Sequence, residues 1–326
     1  MAHFFSPERI GFLTQENTFN ALCGLIHLFV MPCFFIISGY FAPTEIKGNF
    51  TRNLLSFILV PYIVFEIFFK LVVPAHLNQV DLFVESFYTL WFLAVLFLYR
   101  VAVPFLKELR IAPLIGLFLL LSFSSHLKIK WLMWGEWNFI KYAPYFLLGV
   151  LFKRKHIDLS AYKPSLFIKL VAVGTLMGSG MTLFVLNINF LEIIPDIPCA
   201  GKTTGILLLI KTYPFVESIS RDAIYRVLGL FLAFSIFSLI PKTKLPISSY
   251  GERSLYPYLL HPIAMNLLEK SGYYRHQGWI FSVGLFFLCF FITLFFSANF
   301  VVSPLRRFFS WIGNPFFEKP FKKKII

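Results

Sequence analysis

The sequence predicts an all-α protein that crosses a membrane many times. Of its 326 residues, 58% are hydrophobic, 19% are aromatic and only 14% are charged. Soluble domains have about a quarter of their residues charged, and 43 phenylalanines are too many to bury in one water-soluble core. Apolar side chains in this number must face lipid, so the segments that carry them are expected to be transmembrane helices.

Nine apolar runs are long enough, or nearly long enough, to cross a bilayer. They lie at 21–41, 54–73, 82–105, 112–125, 138–152, 167–189, 225–241, 255–268 and 278–303. The fourth, fifth and eighth runs are shorter than the roughly 20 residues that a spanning helix needs, so the predicted count is nine to within one. We therefore predict a single integral membrane domain over 1–326, with a basic cytoplasmic tail at 304–326.

The charges of the loops predict the orientation of the chain. The segments after the first, third, fifth, seventh and ninth runs carry about twice as many Lys and Arg residues as the opposite segments. Basic loops remain in the cytoplasm, so the C-terminus is predicted to be cytoplasmic. The net charge of +14 has the same explanation, beside anionic lipid, and binding to nucleic acid is not expected.

The N-terminus does not fit this topology easily. Nine spans place residues 1–20 outside, yet this segment has no apolar core of a signal peptide. A tenth helix ahead of Met1, missing from this sequence, would place both ends in the cytoplasm. The four cysteines form no CxxC pair, so neither a metal site nor a disulfide framework is expected.

Two stretches with polar residues at membrane depth are candidates for function. In 27-HLFVMPCFFIISGYF-41, Pro32 and the Ser38-Gly39 pair loosen the helix. This pattern fits either a kinked helix with a small-residue contact surface or a broken helix that lines a cavity. In 250-YGERSLYPYLLHPI-263, His261 follows Tyr258 inside an apolar run, where an ionisable residue is functional by default, although packing is an equal alternative.

Other ionisable residues lie inside or beside the runs. Lys70 and Lys169 are near run ends, from which their ammonium groups can reach the interface. Glu66, Glu85 and Arg226 could pair with one another or line a polar path. The sequence contains no Walker loop and no GxGxxG motif, which disfavours an ATP-driven pump or a dinucleotide enzyme.

Five stretches taken together carry a resemblance to a known family. They are 31-MPCFFIISGYF-41, 51-TRNLLSFILVPYIVF-65, 90-LWFLAVLFLYR-100, 140-IKYAPYFLLGVLFKRK-155 and 251-GERSLYPYLLHP-262. In this order they resemble the acyltransferase 3 family of membrane O-acyltransferases, especially its fucose 4-O-acetylase-like branch. The resemblance implies ten membrane helices, of which the first is missing here. It also implies transfer of an acyl group, most often acetyl from acetyl-CoA, to a carbohydrate hydroxyl.

The resemblance further implies a catalytic histidine at the end of the first family helix. Met1-Ala2-His3 resembles the last residues of that helix, so His3 is predicted to be the catalytic residue; the alternative is a disordered terminal histidine. His27 is a poorer match. An imidazole with a pKa near 6.5 can remove the proton of a sugar hydroxyl and return it to the departing thiolate.

The remaining predictions concern the binding residues, the donor and the acceptor. Residues predicted to bind substrate or donor are Arg52, Ser38, Tyr40, Trp91, Tyr145, Arg226, Tyr258 and His261, with Arg52 placed at the CoA phosphates. We expect no permanently bound cofactor, acetyl-CoA as donor, and a surface polysaccharide or lipid-linked sugar as acceptor, in a bacterial inner membrane. The alternatives are a transporter or flippase of glycan precursors and an inactive, truncated relative.

Overall fold

A computed structural model describes most of the chain. The described residues are 17–43, 45–46, 49–72, 90–106, 108–124, 136–158, 163–185, 214–241, 243, 245–273 and 279–317. Their regular structure is helical, and none of them lies in a strand. The predicted all-α fold class is therefore confirmed.

The helices follow the apolar runs of the sequence. In chain order they are α1 (Asn17–Tyr40), α2 (Phe50–Leu54), a π-helical segment (Leu55–Leu59), α3 (Val60–Val72), α4 (Trp91–Leu106), α5 (Ile111–Ser124), α6 (Glu136–Arg154), α7 (Leu166–Val185), α8 (Pro214–Leu239), α9 (Ser248–Gly251), α10 (Leu255–Lys270), α11 (Trp279–Phe296), α12 (Asn299–Gly313) and a 3₁₀ turn (Asn314–Phe316). Each of the nine predicted runs overlaps a described helix.

The number of spans stays a prediction. Among the described helices, Phe50–Val72 and Leu166–Val185 are long and apolar enough to cross a membrane by themselves. The bent pair Val283–Phe296 and Asn299–Phe316 can be counted as a third span. Several others, such as Trp91–Leu106, are apolar but shorter.

The chain divides into two compact units, each assembled from three segments. The first comprises Met1–Ile36, His156–Ser248 and Ile263–Thr293, and the second comprises Ile37–Lys155, Ser249–Pro262 and Leu294–Ile326. In the first unit α7 packs along α8. Its core contains apolar side chains of α1, α7 and α8, namely Ala21, Leu28, Leu183 and Leu232.

The second unit contains α2 to α6 with the π segment, the stretch Ser249–Pro262, and α12. Within it α4 and α5 pack on α6, and the π segment packs on α4 and α12. The ring of Phe65 lies 6.3 Å from that of Phe309, which joins α3 to α12. Both rings are buried, and Phe309 is fully so.

The end of α1 makes a close approach to α6. A Cβ atom at Gly39 would overlap the carbonyl oxygen of Phe146 and lie 3.2 Å from the amide nitrogen of Val150. Just beyond α1, the carbonyl of Ala42 accepts a hydrogen bond of 2.7 Å from Lys153 Nζ. Since α1 also continues through Pro32 without interruption, this stretch is a continuous helix with a small-residue contact.

The run at 278–303 forms two helices instead of one. α11 ends at Phe296 and α12 begins at Asn299, with Ala298 in an extended conformation between them (φ −70°, ψ 147°). Arg253 Nη1 donates a hydrogen bond of 3.4 Å to the carbonyl of Ser297. A cation at the last carbonyls of a helix is favourable for its dipole, so Arg253 fixes this break.

Candidate functional site

Most of the predicted site residues lie in the second unit. His3 lies outside the described residues, so its catalytic role stays a prediction, and Glu85 lies outside them too. Arg226 is half-buried on α8, in the first unit. The other candidates all belong to the second unit, and they are Ser38, Tyr40, Arg52, Trp91, Tyr145, Tyr258 and His261.

His261 is buried on α10 in a defined orientation. Its Nδ1 atom lies 2.6 Å from the carbonyl oxygen of Tyr258, one turn earlier. A carbonyl only accepts hydrogen bonds, so Nδ1 carries the proton and donates. In the neutral ring Nε2 is then the basic nitrogen. The imidazole and the Tyr258 ring are tilted neighbours, with centroids 5.9 Å apart.

A row of aromatic rings leads from α10 across α4 to α6. The Tyr258 ring lies 5.6 Å from Phe92, and its hydroxyl is hydrogen bonded to the backbone of Phe92. Phe92 contacts Trp91 at 6.3 Å. Trp91 stacks on Tyr142 at 5.5 Å with an interplanar angle of 17°, and Tyr142 lies 6.1 Å from Tyr145. We call these five side chains the aromatic row.

An ion pair is buried on α3 close to this row. Lys70 Nζ lies 3.0 Å from Glu66 Oε1, one helical turn away. Glu66 is 1% exposed and Lys70 is 8% exposed. A carboxylate four residues earlier therefore holds the Lys70 ammonium group inside the protein. Lys169, by contrast, is exposed.

The ion pair and the aromatic row belong to one polar region. Glu66 and Tyr62 on α3 interact electrostatically with the phenol of Tyr258 on α10. We refer to Glu66, Lys70, Tyr62, Tyr258 and His261 as the buried polar cluster. At the far end of the row, Lys141 is also buried, and its Nζ lies 5.5 Å from the centroid of Tyr142.

Two arginines lie beside the π segment. Arg52 is buried on α2, with its guanidinium carbon 4.7 Å from the centroid of Phe317. The guanidinium carbon of Arg306, on α12, lies 5.6 Å from the centroid of Phe57. We call these two arginines, together with Lys153, Arg154 and Arg253 of the same unit, the basic group, a set defined by charge and not by contact.

Arg52 and the buried ion pair lie at different levels of one helix. Arg52 and Glu66 share the continuous helix Phe50–Val72. At 1.5 Å per residue they are about 20 Å apart along its axis. Arg52 and Glu66 are therefore too far apart to contact the same small group.

Ser38 and Tyr40 belong to the contact between α1 and α6. They flank Gly39, which lies against the backbone of Phe146, the residue after Tyr145. The Tyr40 ring packs edge to face on Phe41, with centroids 5.1 Å apart. The contacts of this stretch serve packing, and they do not place either side chain in the buried polar cluster.

Sequence reasoning missed several members of the site. Tyr142 and Phe92 were not singled out, because an aromatic residue inside an apolar helix usually indicates packing. The only available signal for Tyr142 was its spacing of one helical turn from Tyr145. Tyr62 gave no signal of its own within the 51–65 motif.

Comparison with known proteins identifies one match. The family model for acyltransferase 3, described as an acyltransferase domain, matches residues 1–300. The search of curated proteins found no match, and neither did the search of solved structures. The matched residues include the whole aromatic row, the buried polar cluster and Arg52.

Proposed function

We propose a function from one premise: the chain belongs to the acyltransferase 3 family. It is a membrane acyltransferase of the class that transfers groups other than aminoacyl groups. We infer that the acyl group is acetyl, that acetyl-CoA is the donor, and that a hydroxyl of a surface polysaccharide or lipid-linked sugar is the acceptor. The fucose 4-O-acetylase-like branch is part of this proposal.

The family match over residues 1–300 is the observation that carries the proposal. It favours an acyltransferase over a transporter or flippase of glycan precursors. The buried ionisable residues of the second unit support it, because charges at membrane depth are costly and are usually kept for function.

The basic group is the proposed binding site of the donor. Coenzyme A is a cytoplasmic molecule with several phosphates, and arginine binds phosphate through a planar, multidentate fork. The loop charges place Arg52, Lys153 and Arg253 at the cytoplasmic ends of their helices. Arg52 supports this assignment further, since its guanidinium group is held inside the protein by α2 and Phe317.

The buried polar cluster and the aromatic row are the proposed acceptor site. Ligand sites combine aromatic surfaces with a few well-placed polar groups, and the Glu66 carboxylate can accept hydrogen bonds from sugar hydroxyls. By the same orientation Glu66 lies about 20 Å along its helix from the cytoplasmic end at Arg52. Tyr258, in contrast, follows the cytoplasmic residue Arg253 by only five residues, so the proposed acceptor site lies inside the second unit, at a distance from Arg52.

The reaction needs a base, an electrophile and a hydrogen-bond donor to the oxyanion of the tetrahedral intermediate. In the proposed mechanism His3 removes the proton of the acceptor hydroxyl while its oxygen attacks the thioester carbonyl carbon. The tetrahedral intermediate collapses with loss of the CoA thiolate, which receives that proton from the imidazolium. The Tyr258 phenol is the candidate donor to the oxyanion. His261, whose basic nitrogen is Nε2, is a second candidate base.

The proposal is tested by acetyl transfer in isolated membranes that contain the full chain. Acetyl-CoA labelled in the acetyl group is added, and alkali-labile label is measured in the extracted glycans, beside the released CoA thiol. Transfer that depends on the chain supports the proposal, and the absence of transfer, or transfer to amines only, contradicts it. Loss of activity in His3→Ala but not in His261→Gln identifies His3 as the base, whereas the reverse identifies His261. The exposed variant Lys169→Gln serves as control.

A further inference from the structure

The outward face of α12 carries a stripe of aromatic residues beside an arginine. Phe300, Pro304, Arg307 and Trp311 follow one another at helical spacings of four, three and four residues. They lie on the same face of the helix, and we call them the outer stripe. Phe300 is 64% exposed and Trp311 is 70% exposed.

The opposite face fixes the rotation of the helix. Val302, Phe309 and Gly313 are buried, and α12 packs with this face on the π segment and α3. A Cβ atom at Gly313 would overlap Ser56 Oγ and lie 3.0 Å from Ser56 Cβ. Because this close contact lies on the face opposite the outer stripe, the stripe points away from the π segment and α3.

Two adjacent arginines of α12 have different surroundings. Arg306 covers the Phe57 ring of the π segment at 5.6 Å. Both arginines are exposed, and Arg307 belongs to the outer stripe. The Arg306 cation thus lies over a ring of its own protein, whereas Arg307 lies in the outward row between Pro304 and Trp311.

The outer stripe follows directly on an apolar helix. The preceding helix, α11, is almost entirely apolar, and the ring of Phe295 near its end contacts Phe300 at 5.1 Å. After the break at Ala298 the chain enters a helix with apolar and charged faces. Such a helix with an outward Trp and Arg is typical of one that lies in the interfacial layer.

We propose that the outer stripe of α12 binds anionic phospholipid. The guanidinium group of Arg307 pairs with a headgroup phosphate, while Phe300 and Trp311 insert at the boundary between headgroups and acyl chains. A second protein copy fits this surface less well, because a row of four residues is far smaller than the roughly 800 Å² that each partner buries in a stable complex. This lipid site is separate from the acetyl-transfer reaction.

The position of Trp311 is tested by quenching with brominated lipid. The full chain is placed in nanodiscs of phosphatidylcholine with or without bromine near the top of the acyl chain, and tryptophan emission is compared. The quenched fraction should fall in Trp311→Phe and should not fall in the control Trp91→Phe, whose ring stacks inside the second unit on Tyr142. Equal quenching in wild type and Trp311→Phe overturns the proposal.

The role of Arg307 is tested with its neighbour as control. Competition between phosphatidylglycerol and phosphatidylcholine is measured on the purified chain by native mass spectrometry of retained lipid. Arg307→Gln should reduce the preference for phosphatidylglycerol about fivefold, and Arg306→Gln should change it much less. An unchanged preference in Arg307→Gln overturns the proposal, as does efficient cross-linking between two copies of a Trp311→Cys variant in the same nanodiscs.

Discussion

In the second unit, the charges of the buried polar cluster and those of the basic group have different kinds of partner. In the buried polar cluster, Lys70 is paired with a carboxylate, Glu66, on the next turn of the same helix. In the basic group, Lys153 and Arg253 donate to backbone carbonyls and Arg306 lies over a ring. The partners that the structure describes for these three cations are uncharged. This difference agrees with the proposed roles, a neutral sugar at the buried polar cluster and the phosphates of CoA at the basic group.

The largest expected effect comes from breaking the Lys70–Glu66 ion pair of the buried polar cluster. Lys70→Met removes the partner of a carboxylate that is 1% exposed, which should lower the free energy of unfolding by about 3–5 kcal/mol. The shift is measured as the melting temperature of the purified chain in detergent. Exposed Lys169→Met is the matched control, with an expected change within about 0.5 kcal/mol.

The pairing itself is tested by a double variant. Glu66→Gln/Lys70→Met removes both charges and should recover most of the stability that Lys70→Met alone loses. If Lys70→Met melts at the wild-type temperature, the ion pair does not hold this region together.

A smaller effect is expected at the contact that aligns α6, the helix that carries two tyrosines of the aromatic row and two cations of the basic group. Gly39→Ala places a methyl group on the carbonyl oxygen of Phe146, and overpacking of this kind costs about 1–3 kcal/mol. Gly178→Ala is the control, because a Cβ there meets nothing within 4 Å and helix propensity improves. Equal melting temperatures for the two alanine variants would show that the close approach does not exist.

The KM of an Arg52 variant for acetyl-CoA tests whether the basic group binds the donor. Arg52→Gln removes a buried cation of the basic group and should raise the KM for acetyl-CoA about tenfold, as for the loss of one charged hydrogen bond. High salt should weaken acetyl-CoA binding to wild type more than to Arg52→Gln. Exposed Arg110→Gln is the control, and a KM equal in all three proteins contradicts a donor site at Arg52.

The smallest effect is expected in the aromatic row. Trp91→Leu removes the ring that stacks on Tyr142, an interaction worth about 0.5–1.5 kcal/mol. The KM for the glycan acceptor should rise a few-fold while the KM for acetyl-CoA stays unchanged. Phe41→Leu, which alters an exposed ring outside the row, should leave both constants unchanged; a Trp91→Leu enzyme with an unaltered acceptor KM would remove the row from the acceptor site.

The helices were predictable from the sequence, but their interruptions were not. Long apolar runs have few alternatives to helix in a membrane, so each predicted run overlaps a described helix. The break at Ser297 and Ala298 contains neither Pro nor Gly. One of its contacts is a hydrogen bond from Arg253, distant in sequence, and such a contact has no local signal.

The site was predictable only in part, for a related reason. The family motifs led to Trp91, Tyr145, Tyr258 and His261, which the structure places in or beside one region. They did not lead to Tyr142, and Lys70 was expected at the interface. Whether the ammonium group of a lysine near a helix end is exposed or buried depends on the residues that pack around it, and tertiary packing sets those residues.

Donor and acceptor are proposed to bind in two separate regions of this membrane acyltransferase. Initial rates of labelled acetyl transfer, measured with acetyl-CoA and acceptor varied independently, distinguish the two regions in wild type, Arg52→Gln and Trp91→Leu. We expect Arg52→Gln to raise only the KM for acetyl-CoA and Trp91→Leu to raise only the KM for the acceptor. If both variants raise the same constant, the two regions do not serve two substrates.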